Sequence, residues 1–142
     1  MTTQKFTGSC LCRSVRYELD GDPEHFYHCH CSRCRKATGT GHATNIFLKS
    51  DGIRWSGDES QIRQYKVPES ELFVIAFCGT CGGNLPTHDP ETRAVFIPAG
   101  SLDSKNEISP TLHLYNGSRA AWSCQDSLPK FEKMPEGFEL SE

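Results

Sequence analysis

Seven of the eight cysteines in this sequence fall into three groups: Cys10-Leu-Cys12, Cys29-His-Cys31-Ser-Arg-Cys34 and Cys78-Gly-Thr-Cys81, with Cys124 standing alone. Thiolates are nucleophiles and metal ligands, and structural zinc takes four tetrahedral thiolate or imidazole ligands, two of which a Cys-x-x-Cys turn can supply. Cys78-Gly-Thr-Cys81-Gly82-Gly83 has that form. Glycines inside and after the pair let the backbone bend until both sulfurs face one point. This is half a site, and the other half must come from Cys10 and Cys12 or from two members of Cys29, Cys31 and Cys34.

Counting ligands favours the first choice. Cys10, Cys12, Cys78 and Cys81 make a closed four-thiolate site and leave Cys29, Cys31 and Cys34 as a set of three. Catalytic zinc keeps three protein ligands and an open position for water or substrate, whereas structural zinc is closed. The opposite pairing strands one thiol of the triple and leaves Cys10 and Cys12 idle. Two alternatives stand beside this one. Cys124, His28 or His30 could close the triple into a second structural site without chemistry. A Cys-x-x-Cys pair can also be a redox motif, but that needs a βαβ context the chain lacks.

Other side chains carry weaker signals. Arg33, Arg35 and Lys36 lie within or just after the triple, where their charge favours thiolate over thiol and could attract an anionic substrate, unless they form an ordinary solvated helix face. His28 and His30 flank Cys29, so strand alternation places both on the face opposite that cysteine. His25, His42, His88 and His113 are isolated in the sequence and read as structural, and Trp55 and Trp122 as core or rim. Tyr115-Asn116 and Gly100-Ser-Leu-Asp103 could line a site.

The elements that must position these residues are short. Apolar runs followed by turn residues predict strands at 13–19, with Val15, Tyr17 and Leu19 on one face, and at 42–48, 52–55, 61–67, 72–77, 93–98 and 112–115. Asp20-Gly-Asp-Pro23, Asp51-Gly52, Ser56-Gly-Asp58, Pro68-Glu-Ser70 and Asp89-Pro-Glu91 punctuate them. Residues 32–38 alone look helical, with Ser32 as N-cap and Gly39 at the C-terminus. The expectation is one mostly-β domain over residues 1–142, its acidic and apolar tail from residue 130 a strap on the surface.

Composition narrows the class. The chain has 142 residues, with 15 Lys+Arg against 18 Asp+Glu and a net charge of −3, which argues against a nucleic-acid scaffold. A four-thiolate zinc centre carries −2 and a three-thiolate one −1, taking the chain to about −6. The N-terminus shows no signal-peptide core, and the longest apolar block, residues 72–77, is far below the roughly 20 residues of a membrane span. A soluble, cytoplasmic protein is expected, where clustered cysteines serve metals or catalysis more often than disulfides.

Taken together, these motifs resemble the glutathione-dependent formaldehyde-activating (GFA) family, which also includes centromere protein V. The residues that carry the resemblance are Gly8-Ser-Cys-Leu-Cys12 with Val15-Arg-Tyr17, Cys29-His-Cys31-Ser-Arg-Cys34-Arg-Lys36 with Thr38-Gly39, and Phe77-Cys-Gly-Thr-Cys81-Gly82. Ala99-Gly-Ser-Leu-Asp103, Pro110 with His113, and Trp122 with Leu128-Pro129 follow in the same order, so the match runs from about residue 8 to 135. The resemblance implies a β-tent fold of short antiparallel strands with two zinc ions. Cys10, Cys12, Cys78 and Cys81 would hold the structural ion, and Cys29, Cys31 and Cys34 the catalytic and more labile one. The implied activity is that of a carbon–sulfur lyase, S-(hydroxymethyl)glutathione synthase, which condenses glutathione with formaldehyde. The alternative function is a non-catalytic zinc module that binds a protein partner. Neither nucleic acid nor membrane is an expected partner.

Overall fold

In the computed structural model the described residues are 3–123 and 126–137. Eleven strands and one short α-helix follow in chain order. They are β1 (Gln4–Ser9), β2 (Val15–Gly21), β3 (His25–Cys29), α1 (Ser32–Thr38), β4 (Ala43–Lys49) and β5 (Arg54–Gly57). Then come β6 (Ile62–Lys66), β7 (Val74–Cys78), β8 (Asn84–Leu85), β9 (Thr87–His88), β10 (Ala94–Pro98) and β11 (Leu112–Leu114).

Alternation sets which face of each strand is buried. In β2, Val15, Tyr17 and Leu19 point inward while Arg16 and Asp20 face solvent. In β10, Val95 and Ile97 are buried and Phe96 is exposed. These strands form three sheets, ordered β1-β2-β5, β11-β3-β4-β10-β9 and β6-β7-β8. One core joins them: Phe6, Val15, Tyr17 and Leu19 from the first sheet meet Ile46, Leu48, Val95 and Ile97 from the second and Ala76, Cys78 and Leu85 from the third. Trp55 packs at the edge of this cluster, edge-on to Tyr17 with ring centroids 6.0 Å apart.

The mostly-β class stands, with two refinements. The pairing is antiparallel except between β11 and β3, which run parallel with His113 opposite His28. That connection is possible because more than 80 residues separate the two strands, room enough for a crossover. The helix N-cap is Cys31, one residue before the expected Ser32; its sulfur accepts the Cys34 N–H. Gly39 closes the helix in the left-handed conformation (φ 70°), donating its N–H to the Arg35 carbonyl at 2.8 Å. No helix among the described residues is long and apolar enough to cross a membrane.

Candidate functional site

Two turns bring the first cysteine group together. Between β1 and β2 the chain reverses through residues 10–14, where Arg13 adopts φ 67° and donates its N–H to the Cys10 carbonyl at 3.1 Å. After β7, the Gly82 N–H bonds the Cys78 carbonyl at 2.8 Å, and Gly82 takes φ 75°, a conformation that costs glycine nothing. The sulfurs of Cys10, Cys12, Cys78 and Cys81 consequently all lie within 4.8 Å of one another. Cys12 Sγ is 3.7 Å from Cys10 Sγ and 4.0 Å from Cys78 Sγ. Tetrahedral zinc–sulfur bonds of about 2.3 Å would set neighbouring sulfurs about 3.8 Å apart, so this group fits such an ion with little adjustment.

The backbone around this group is arranged for negative charge. Val15 N–H points at Cys10 Sγ, Thr80 N–H at Cys78 Sγ and Gly83 N–H at Cys81 Sγ, each at 3.4 Å. The Cys81 and Thr80 N–H groups hold the Cys78 thiol down at about 6 against burial, which opposes them. Burial also works against ionisation of Cys10, but hydrogen bonds from Val15 and Cys12 keep it below the ordinary thiol value.

The second group is Cys29 at the end of β3, Cys31 at the helix cap and Cys34 in the helix, their sulfurs again within 4.8 Å of one another. Cys29 and Cys34 are buried with Ala43, against Tyr27, Cys31, Phe73 and Leu114. Burial raises Cys29 and, more strongly, Cys34. Cys31 is lowered although burial opposes it, because the Cys34 N–H bonds its sulfur. A thiol drawn towards ionisation beside two that burial keeps protonated is a donor set that a soft cation could complete. All seven cysteines among the described residues are free thiols; Cys124 lies outside the described residues.

A cavity of about 1340 Å³ opens over the triple. Cys29, Cys31 and Cys34 are all on its wall, whereas Cys10 is the only member of the first group there. Gly100, Ser101, Asp103 and Tyr115, which the sequence offered as possible lining, are on the wall as well. Of the three cations near the triple, Arg33 lines the cavity and joins none of the ion pairs among the described residues. Arg35 and Lys36 are not on the wall; the Arg35 Nε is buried without a hydrogen-bond partner. Asp103 takes the Ser9 hydroxyl at 2.7 Å and lies 3.9 Å from Arg13.

Two features were not singled out in the sequence. Tyr27 stands on the cavity wall beside the triple, and burial, reinforced by the neighbouring thiols, pushes its phenol up to about 12. The other is a histidine cluster. His28 and His30 do face away from Cys29, but His42 and His113 are not isolated: ring centroids lie 4.3 Å apart for His28 and His42, and 5.0 Å apart for His30 and His113. Burial and the surrounding imidazoles lower His28 and His30 below the ordinary histidine range. No histidine has a ring nitrogen within the triple's 4.8 Å cluster, so the structure does not close that group with His28 or His30.

Three β-sheets share one core, and the fold carries two thiol groups, each of which could hold a metal ion. Over residues 5–118 the sequence matches the family described as glutathione-dependent formaldehyde-activating enzyme, and the chain belongs to that family. A crystal structure of a Rhodobacter sphaeroides protein solved by structural genomics is similar in fold, with a TM-score of 0.56 at 18% identity over 75% of this chain and 98% of that one. No curated protein matches the chain.

Proposed function

We propose that this protein is a zinc-dependent carbon–sulfur lyase that condenses a thiol such as glutathione with formaldehyde or another small aldehyde. The observation that carries the proposal is the unequal placement of the two thiol groups: the set of three lines a large cavity, and the set of four sits in the fold with one member reaching its wall. Family membership supports the reaction class. In this reading Cys10, Cys12, Cys78 and Cys81 hold a structural zinc, and Cys29, Cys31 and Cys34 the catalytic one. When bound there, zinc supplies a Lewis acid that lowers the pKa of an incoming thiol.

The reaction forms one carbon–sulfur bond. The thiol sulfur adds to the aldehyde carbon, the carbonyl π pair moves to oxygen, and the proton lost by sulfur ends on that oxygen as the product hydroxyl. Tyr27 lines the cavity with its phenol pushed up to about 12, and in this reading it donates a hydrogen bond to the developing oxyanion. Arg33 is the cation positioned to pair with a carboxylate of the thiol substrate. The cavity exceeds the roughly 300–1,000 Å³ of usual small-ligand clefts, so a tripeptide has room beside a small aldehyde. Holding the two reactants together supplies the rest, since no other bond need be made.

Exchange spectroscopy on glutathione and formaldehyde mixtures tests this. The zinc-loaded protein should speed interconversion of free thiol and hydroxymethyl adduct above the buffer rate, and Cys31→Ser should abolish the increase. No acceleration with any of a range of thiols and small aldehydes would overturn the proposal.

A further inference from the structure

We propose that His28, His42 and His113 form a site for a divalent transition-metal cation with a donor set separate from both cysteine groups, His42 also reaching the wall of the cavity over the triple. The three come from adjacent strands or their ends. His28 is in β3, His42 immediately precedes β4, and His113 lies in β11 directly opposite His28. Together they line a second pocket, with Asn116, Arg119 and Asp126 at its rim.

The hydrogen bonds on the far side of these rings decide what faces the pocket. Thr44 Oγ1 lies 2.7 Å from His28 Nδ1 and 3.0 Å from His42 Nδ1. A hydroxyl oxygen has two lone pairs, enough to accept an Nδ1–H from both imidazoles. His113 Nδ1 is 2.8 Å from Nε2 of His30, a residue with no solvent exposure. The second ring nitrogen of His30, Nδ1, is buried with no hydrogen-bond partner among the described residues. A proton there leaves His30 Nε2 as the acceptor for His113.

In that arrangement each of the three imidazoles is oriented through Nδ1, and each Nε2 presents a lone pair with no hydrogen-bond partner among the described residues. Three acceptor imidazoles lining one pocket suit a cation. Imidazole donors select zinc, nickel and copper over magnesium or calcium, and an imidazole whose other nitrogen is hydrogen-bonded is the usual form of a metal-ligating histidine. Among the described residues only the two cysteine groups already have all their donor atoms within 4.8 Å, so the imidazoles must draw together on the ion by pivoting about their Nδ1 hydrogen bonds. Asp126 at the rim offsets the charge of Arg119, whose guanidinium is tied to the Asn116 carbonyl at 3.0 Å.

Zinc stoichiometry tests the site without reference to activity. The tag-free, reduced protein is equilibrated by dialysis against zinc and its metal content measured. His42→Gln and His113→Gln, at side chains that are not buried, should each bind one equivalent fewer than the wild type with unchanged circular dichroism. Cys31→Ser should lose a different equivalent, so failure of the lyase proposal leaves this result intact. Thr44→Val should weaken the histidine-dependent equivalent by about 10- to 100-fold. Equal zinc content in the wild type and both histidine variants would overturn the proposal, as would loss of the same equivalent on Cys124→Ser.

Discussion

Cys31 Sγ accepts a hydrogen bond from the Cys34 backbone N–H at 3.4 Å, so one ligand of the triple caps the helix that carries another. One side chain therefore serves both the helix cap and the donor set. The same bond helps explain why Cys31 ionises more readily than its two neighbours.

Substitutions at Cys31 should separate these two roles. Serine is a good N-cap but offers no thiolate, whereas alanine offers neither. Both variants should lose one zinc equivalent. In chelator-stripped, reduced protein, Cys31→Ala should be less stable than Cys31→Ser by about 1 kcal/mol, measured by urea denaturation.

Gly83 tests how tightly the first group is built. A Cβ there would lie 2.8 Å from the Leu11 backbone nitrogen and 3.3 Å from both Cys10 Cβ and Cys81 Sγ. Gly83→Ala must push the two ligand turns apart. We expect a loss of about 1–3 kcal/mol in stability and faster transfer of zinc to a chelator.

Acid should empty the two groups in order. In the triple, burial raises Cys29 and Cys34 and only Cys31 is lowered; in the group of four Cys12 is raised, but Cys10 is lowered and the Cys81 N–H and its neighbours draw Cys78 from 9.0 to about 6. Protons compete best with metal at the thiols that hold them most tightly. As pH falls, the triple should release its ion first, and Cys31→Ser should remove only that earlier step. In the metal-free protein the Cys78 shift acts with the sign of a depressed acid: its stabilisation is present above pH 9 and fades as pH falls through about 6. Metal release followed with a chromophoric chelator reads the order directly.

At the alkaline end Tyr17 is the group to watch. Burial pushes its phenol from 10.0 to about 12, and its hydroxyl is 2.6 Å from Ser101 Oγ. A raised pKa favours folding fully below pH 10 and loses that effect as pH climbs through 12. Stability should fall across this window, and Tyr17→Phe should flatten the fall.

Much of this was legible in the sequence because its signals are local. The alternation of Val15, Tyr17 and Leu19 marks β2, Gly39 marks the helix end, and the spacing of the cysteines already separates four from three by ligand count. What escaped depends on pairing between distant segments. β1 has one fully buried apolar side chain, Phe6, and too little alternation to announce a strand. His42 and His113 look unremarkable alone; they meet His28 only because β4 and β11 flank β3, with Thr44 and His113 opposite His28 in the two registers. Two histidines alternating around Cys29 were the available hint. Tyr27 likewise gains its significance from the cavity.

The central claim is that the three-cysteine group is open to an incoming thiol while the four-cysteine group is closed. Cadmium NMR on protein loaded at both thiolate groups measures this most directly. Two resonances are predicted, of which glutathione shifts one, and Cys31→Ser removes the one that shifts. Two resonances that both ignore added thiol, or a responsive one that depends on Cys124, would contradict it.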